Sequence, residues 1–424
     1  MRINHDYLII HNASQLLTLA GGPQRGNRLG ELGIIANGAV VISEGEIIAV
    51  GESDSLLANY PDASAFDVKK RVVMPGFVDP HTHFVWAGDR ADEFEMRRQG
   101  KTYMEILHAG GGILSTVKAT REATLEELIQ QTRQRAGMAF SYGTTTAEVK
   151  TGYGLTLDSE LKQLEAILEL DRQGPLTLVP TFMAAHAVPP EYQGKADDYV
   201  DQICTEMLPS LLVWWHNRGE SQPLPFVDVF CEQGAFDLSQ SRRILEAARE
   251  LGFPLKIHAD EFENLGGAAL AAELNAASAD HLVKTSPADI HALAGSETVA
   301  VALPGTPFGL SETEYTPARE IIRANGLLAL ASDTNPGTSW CESMQFILAL
   351  ACRKMGLTPA QAIAAATINA AAALQRENQI GSLETGKQAD LLILEVDDYR
   401  HLGYRFGTNL VAYVIKQGRI YPVK

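Results

Sequence analysis

Residues 72–83 read Val-Val-Met-Pro-Gly-Phe-Val-Asp-Pro-His-Thr-His, so that an apolar run ends in two histidines, His81 and His83. The apolar run predicts a buried strand. Side chains two apart on a strand point to the same face, with Cα atoms about 6 to 7 Å apart, so both imidazoles can reach one cation. Buried histidines need hydrogen-bond partners or a metal ion, and satisfaction by backbone carbonyls is the alternative to a metal.

Seven further apolar or β-branched runs follow this one, and segments with a helical pattern separate them. The eight predicted strands cover residues 72–79, 144–149, 176–184, 226–231, 254–258, 277–281, 298–303 and 327–332. Eight strands that alternate with helices over about 260 residues match a (β/α)8 TIM barrel, an α/β fold, in both order and length. A doubly wound open sheet is the alternative.

The clearest predicted helix covers residues 125–141. Thr124 and Glu127 form a capping-box signature at its start, and Gly143 follows its end. Weaker helical patterns cover residues 160–170, 203–215, 241–251 and 317–324. These segments lie between predicted strands, as a barrel requires.

Short β-rich runs with Gly and Asn turns occur at both ends of the chain. Two of them, residues 39–43 and 46–50, flank a Glu-Gly turn, and similar runs return at 389–394 and 411–415. We expect both ends to pair in one small composite β-sandwich domain. The predicted domains are residues 1–70 together with 376–424 for this β domain, and residues 71–375 for the barrel.

The composition argues against several classes of partner. The 424 residues carry 35 Lys and Arg against 52 Asp and Glu, a formal net charge of -17, which disfavours nucleic acid and anionic membranes as partners. No apolar run reaches the length of a membrane span, and the start lacks the order of a signal peptide, so a cytoplasmic location is expected. The four cysteines show no C-x-x-C spacing.

Polar side chains stand at the ends of seven of the eight predicted strands. Enzymes with this barrel place their chemistry there, at the carboxyl ends of the strands. The residues concerned are His81, His83, Lys150, Tyr153, His186, Glu232, His258, Glu261, His281 and Asp333. The pattern predicts an active site at this end of the barrel.

Three imidazoles and a carboxylate suit a divalent zinc or iron ion, with a further position left for water. We expect the ion to be bound by His81, His83, His258 and Asp333. Glu261 lies three residues after His258 and is a candidate proton carrier. A carboxylated Lys150 that bridges two metals is the alternative, but the fourth predicted strand contains no lysine, so one metal ion per chain is expected.

Together these residues resemble the amidohydrolase superfamily. Residues 75–83 are similar to its first-strand signature, and the split β domain is similar to its usual accessory domain. Within the superfamily, the resemblance is closest to the branch that opens an imidazolone ring in histidine degradation. The segments that carry this resemblance are residues 88–95, 150–155, 258–261, 303–306 and 332–338.

The resemblance implies hydrolysis of 4-imidazolone-5-propanoate to N-formimidoyl-L-glutamate, with attack of a metal-activated water on the ring carbonyl. It also implies substrate contacts from Arg90, Tyr153, His186, Glu261, Asn335, Gly337 and Thr338. For the chemical step we expect His281 to polarise the carbonyl or stabilise its oxyanion, and Asp333 and Glu261 to move the water's proton toward the leaving nitrogen. The alternative for Arg90 is an ion pair with Asp92 or Glu93 at the start of a helix.

Two rival functions stay open at this point. The same scaffold can serve another cyclic amidase or a nucleobase deaminase, which would differ in the pocket residues. A non-catalytic barrel that serves assembly is the second rival, although every expected metal ligand is present. The expected partner is a small-molecule substrate, with no nucleic acid and no membrane, and a homodimer is left open.

Overall fold

The computed structural model describes residues 7–101, 105, 111–219 and 223–423. These residues form a parallel eight-stranded barrel and a second eight-stranded sheet built from both ends of the chain. The predicted barrel with a composite accessory domain is confirmed, and the doubly wound sheet is excluded. Within the described residues, no helix is both long and apolar enough to cross a membrane.

The strands are numbered in chain order. The accessory sheet begins with β1 (Leu8–Leu17), β2 (Ile34–Ser43), β3 (Glu46–Glu52), β4 (Ser64–Asp67) and β5 (Val73–Pro75). The barrel comprises β6 (Phe77–Asp79), β7 (Thr144–Lys150), β8 (Thr177–Ala185), β9 (Phe226–Cys231), β10 (Lys256–Ala259), β11 (Ser278–His281), β12 (Val299–Ala302) and β13 (Leu328–Leu330). The accessory sheet ends with β14 (Leu391–Leu394), β15 (Val411–Lys416) and β16 (Arg419–Pro422).

The first predicted strand is in fact two strands that belong to different sheets. Val73–Pro75 pairs with β14 and β1 in the accessory sheet, whereas Phe77–Asp79 pairs with β7 in the barrel. Gly76 separates them, and a Cβ atom at this position would lie 2.3 Å from Oγ1 of Thr145. Only glycine fits where the chain passes from one sheet to the other at such close range.

The barrel strands follow one another in chain order, each parallel to the next. The gap between β6 and β13 is closed by the residues that follow these strands. Thr82 pairs with Thr334 in a parallel bridge, the amide of Asp333 donates to the carbonyl of His81 at 3.0 Å, and the amide of His83 donates to the carbonyl of Thr334 at 2.9 Å. Expected metal ligands thus take part in closing the barrel.

Helices alternate with the barrel strands and cover the outside. Within the described ranges, the α-helices with assigned bounds are Ser53–Asn59, Ala91–Arg98, Ile113–Glu122, Leu125–Ser141, Leu157–Gln173, Ala196–Gln202, Leu208–Arg218, Leu238–Glu250, Gly267–Leu274, Pro287–Ala294, Gly305–Leu310, Ala318–Arg323, Met344–Leu350, Pro359–Ala365, Ile368–Ala373 and His401–Tyr404. The predicted capping box is confirmed: the amide of Glu127 donates to Oγ1 of Thr124 at 3.2 Å, and the amide of Thr124 donates to Oε2 of Glu127 at 2.8 Å.

The interior of the barrel changes character along the strands. Near the amino ends, Val179 and Phe226 belong to an apolar cluster against which the helix Ile368–Ala373 packs. Two residues further along the same strands, on the same face, stand the polar side chains of Thr181 and Asp228. The interior near the amino ends of the strands is therefore an apolar core, and the interior nearer the carboxyl ends is polar.

Candidate active site

Five of the residues predicted from the strand ends meet at the carboxyl end of the barrel. Ligand atoms of His81, His83 and Asp333 lie within 4.8 Å of one another, and so do those of His81, His258 and His281. All five side chains are buried. His81 belongs to both groups and stands at the centre of the cluster.

The nitrogens that face this centre are free to bind a metal. Nε2 of His81 lies 3.5 Å from Oδ1 of Asp333, and Nε2 of His83 lies 3.6 Å from the same oxygen, so neither pair forms a hydrogen bond. Nε2 of His81 and Nε2 of His258 are buried without a hydrogen-bond partner. Buried nitrogens without hydrogen-bond partners near a carboxylate are suited to bind a divalent cation, because the cation accepts their lone pairs.

The opposite ring nitrogens face carboxylates. Nδ1 of His81 forms a hydrogen bond with Oδ2 of Asp280 at 2.6 Å, whereas Nδ1 of His258 lies 3.0 Å from Oδ2 of Asp228 without hydrogen-bond geometry. A carboxylate at Nδ1 favours the tautomer with a proton on that nitrogen and leaves Nε2 as the ligand. This arrangement is typical of metal-binding histidines.

Burial determines the charge of the histidines. It lowers the pKa of His81, His83 and His281 well below the ordinary value, so these rings are neutral at physiological pH. Neutral imidazole is the form that binds a metal. Burial also raises the pKa of Asp333 to about 6, although a hydrogen bond donated by Thr306 opposes the rise.

A buried ionic network lies beneath the histidines, and of its members the sequence pattern had indicated only Lys150 as a residue of the site. Its members are fully buried: Glu148, Lys150, Asp228, Lys256 and Asp280. Nζ of Lys150 donates to Glu148 at 2.8 Å and to Asp228 at 2.7 Å, and Nζ of Lys256 donates to Glu148 at 2.8 Å. Three carboxylates face two ammonium groups, and Asp333 adds a further carboxylate. A divalent cation would balance the two negative charges left over.

The environment of Lys150 argues against its carboxylation. Although burial opposes it, the carboxylates of Asp228, Glu148 and Asp280 raise the pKa of Lys150 above its ordinary value. Carboxylation would place a further anion among these three carboxylates, at a high electrostatic cost. The geometry therefore favours a single metal ion over a bridged pair.

Arg90 lies at the rim of the site, between Glu93 and Gly337. Its Nη2 donates to Oε2 of Glu93 at 2.6 Å, so the predicted alternative of an ion pair with Glu93 is observed. A Cβ atom on Gly337 would lie 2.3 Å from Nη1 of Arg90. Nε of Arg90 is buried without a hydrogen-bond partner. Arg90 and Gly337, both predicted to bind substrate, are thus immediate neighbours.

The loop after Asp333 is organised by the side chain of Asn335. Oδ1 of Asn335 accepts hydrogen bonds from the amides of Gly337 at 2.8 Å and Thr338 at 2.9 Å. Nδ2 of Asn335 donates to the carbonyl of Asp333 at 2.7 Å. This side chain is therefore engaged in shaping the loop that faces Arg90.

Two aromatic side chains adjoin His83. The ring of His186 stacks on that of His83, with centroids 5.0 Å apart and planes 15° from parallel, and the ring of Tyr153 lies 5.2 Å from that of His186. Nδ1 of His186 lies 3.1 Å from the carbonyl of Gly152. Burial lowers the pKa of His186 to about 3, so the ring is neutral.

Glu261 lies beside His281 on the other side of the centre. Its Oε2 is 3.6 Å from Nε2 of His281, and burial raises the pKa of Glu261 well above the ordinary value. Glu232, at the end of β9, accepts a hydrogen bond from the amide of Phe262 at 2.9 Å. Glu232 thus anchors the loop that carries Glu261.

A barrel with a histidine and aspartate centre at its carboxyl end is the architecture of the amidohydrolases. The sequence pattern of the amidohydrolase family matches residues 72–421, and the chain belongs to this family. Its relatives include the imidazolonepropionase of Herpetosiphon aurantiacus, 51% identical over 98% of this chain and 97% of that protein. The imidazolonepropionase of Symbiobacterium thermophilum is 50% identical over 97% of this chain and 96% of that protein.

Solved structures agree on the fold. An adenosine deaminase from Xanthomonas campestris with bound zinc superposes with a TM-score of 0.72 at 19% identity, covering 99% of this chain and 93% of that chain. The guanine deaminase of E. coli superposes with a TM-score of 0.74 at 15% identity, covering 99% of this chain and 100% of that chain. At these identities the likeness concerns the fold alone.

Proposed function

We propose that this chain is a metal-dependent cyclic amidohydrolase that hydrolyses 4-imidazolone-5-propanoate to N-formimidoyl-L-glutamate, the third step of histidine degradation. The observation that carries the proposal is the position of Arg90 at the rim of a buried histidine and aspartate centre, in a chain that is about half identical to imidazolonepropionases over nearly its full length. The centre suits amide hydrolysis, and the arginine suits a substrate with a carboxylate tail.

The ligands of the metal are, in this proposal, His81, His83, His258 and Asp333, and the ion is zinc or iron. When bound, such an ion lowers the pKa of a coordinated water and polarises a carbonyl oxygen. Asp280 and Asp228 orient His81 and His258 through their Nδ1 atoms. Thr306 orients Asp333 by donating a hydrogen bond to its Oδ2.

The catalytic side chains lie around the same centre. His281 donates a hydrogen bond to the oxygen of the ring carbonyl as negative charge develops there. Asp333 and Glu261 carry the proton from the attacking water to the ring nitrogen. A bond forms between the water oxygen and the carbonyl carbon, the ring C–N bond breaks, and the nitrogen leaves with the transferred proton. The product gains a new carboxyl group, which becomes a carboxylate by releasing its proton to solvent.

The substrate is held by its tail and its ring. The guanidinium of Arg90 binds the propionate, and Glu93 fixes its orientation from the other side. Tyr153 and His186 contact the imidazolone ring beside His83. Gly337 and Thr338, on the loop shaped by Asn335, complete the pocket near Arg90.

The decisive experiment compares kcat/KM for 4-imidazolone-5-propanoate with kcat/KM for adenine, guanine and cytosine. We expect efficient turnover of the imidazolone and rates lower by several orders of magnitude on the nucleobases, because these neutral rings carry no carboxylate for Arg90 and would leave its buried Nε without a hydrogen-bond partner. Equal or greater efficiency on any nucleobase would refute the proposal in favour of a deaminase. If the metal-loaded protein turned over none of these rings, the result would support the rival hypothesis of a non-catalytic barrel that serves assembly.

A further inference from the structure

Two carboxylates orient the histidines at the centre, and they come from different strands. Asp280 on β11 lies against Nδ1 of His81, and Asp228 on β9 lies against Nδ1 of His258. Neither carboxylate is exposed to solvent. Asp280 fixes the ring of His81 through a hydrogen bond, Asp228 faces the ring of His258 across a 3.0 Å charge contact, and the two anions lie close enough to share a cation.

The shared cation is Lys150, which reaches both carboxylates from β7. Its Nζ lies 2.7 Å from Oδ2 of Asp228 and 3.7 Å from Oδ2 of Asp280. These are the same oxygen atoms that face His258 and His81. A third contact, 2.8 Å to Oε1 of Glu148, holds the ammonium in place.

We propose that Lys150 is a positioning residue that holds Asp228 and Asp280 against His258 and His81, and so sets the affinity of the site for a divalent metal ion. The inference rests on the metal centre of the proposed function. Without the ammonium, Asp228 would lose its ion pair with a lysine, and the two buried carboxylates would repel each other at short range with only Lys256, 3.8 Å from Asp280, as a remaining lysine counter-charge. Their oxygens would move away from the imidazoles, and the rings would lose their fixed orientation.

Lys256 offers a matched comparison. It is equally buried and belongs to the same network, yet its Nζ donates to Glu148 at 2.8 Å and to the carbonyl of Pro80 at 2.7 Å. It lies 3.8 Å from Asp280, and no ion pair joins it to Asp228 within the described part of the chain. Removing either lysine deletes one buried charge, but only Lys150 connects both carboxylates that face the histidines.

The test measures the dissociation constant for Zn²⁺ by competition with a chelator in the full-length protein and in the variants Lys150→Met and Lys256→Met. Changes to residues that orient metal ligands cost about 10- to 100-fold in metal affinity, and we expect a loss of this size for Lys150→Met and a clearly smaller one for Lys256→Met. If Lys150→Met does not fold, Lys150→Gln takes its place, because glutamine keeps a hydrogen-bond donor without the charge. The same loss of zinc affinity is expected for it.

A second measurement separates positioning from a general loss of stability. Nitrogen-15 shifts of the zinc-loaded protein report which ring nitrogen of each histidine carries the proton. We expect His81 and His258 to be protonated at Nδ1 in the natural chain and at least one of them to lose this signature in the Lys150 variant. A folded variant with an unchanged dissociation constant, or equal losses for both lysines, would overturn the proposal. Zinc binding is measured without substrate, so failure to turn over the imidazolone would refute the proposed function alone.

Discussion

The guanidinium of Arg90 occupies the space where a side chain on residue 337 would stand. A Cβ atom on Gly337 would lie 2.3 Å from Nη1 of Arg90 and 3.1 Å from its Cζ. Glu93 holds the other side of the same guanidinium. Because residue 337 has no side chain, the guanidinium of Arg90 can occupy this space. It places a positive charge in a site that is otherwise acidic.

We expect Gly337→Ala to raise KM for 4-imidazolone-5-propanoate by about 10- to 100-fold, because the methyl group displaces Arg90 and weakens a charge-assisted contact of about 1.5 to 3 kcal/mol. Steady-state kinetics measure the change. Gly407→Ala is the matched control, since no heavy atom of the described residues lies within 4 Å of a Cβ atom there. An unchanged KM would show that Arg90 tolerates the displacement.

Arg90→Met should likewise raise KM more than it lowers kcat, because a contact with the propionate is present in both the ground state and the transition state. Arg98→Met provides the control, because Arg98 is exposed and ends the helix Ala91–Arg98 that Arg90 precedes. Kinetics with 4-imidazolone-5-propanoate measure both effects. If KM stays constant in Arg90→Met, the assignment of Arg90 to the propionate is wrong.

His281→Asn should lower kcat by about 100- to 1000-fold, the range observed when a donor to a developing oxyanion is removed. Asparagine is the suitable replacement because His281 has a φ of +79°, a backbone conformation that asparagine tolerates. Metal content is measured alongside the kinetics. Retained metal with reduced kcat supports the catalytic role, whereas loss of metal would make His281 a ligand.

The protein should contain one divalent ion per chain when purified without added metal. His83→Ala should empty the site and abolish turnover while the circular dichroism spectrum stays close to that of the natural chain, because the barrel is built mainly from apolar strand residues. Elemental analysis measures the stoichiometry, with the exposed His291→Ala as control. A reproducible value of two ions per chain would contradict the single-metal site.

The fold and the clustering of His81, His83, His258 and Asp333 at one end of the barrel could be predicted because their signals are local. Alternation along the extended chain after an apolar run puts His81 and His83 on one face, and the recurrence of such runs indicates the barrel. The break at Gly76 could not be predicted in this way. The chain stays extended on both sides of it, and only the pairing partners change from one sheet to the other.

The ionic network could not be predicted for a different reason. Strands of a parallel barrel are buried on both faces, so alternation along β7 or β10 does not reveal which face points inward. Glu148 and Lys256 are also separated by 108 positions in the chain. Their pairing depends on the geometry of the closed barrel. The exact domain limits and a homodimer stay predictions.

The closure between β6 and β13 links the metal centre to the assembly of the barrel. The amide of Ser332 donates to Oδ1 of Asp79 at 3.0 Å, across 253 positions of sequence, and the bonds between His81 and Asp333 follow directly after it. Bringing such distant segments together costs loop-closure entropy, and non-local pairings of this kind slow folding. The expected metal ligands lie on both sides of this closure. A bound ion would therefore also connect the segments that follow the first and last barrel strands and stabilise the closed barrel.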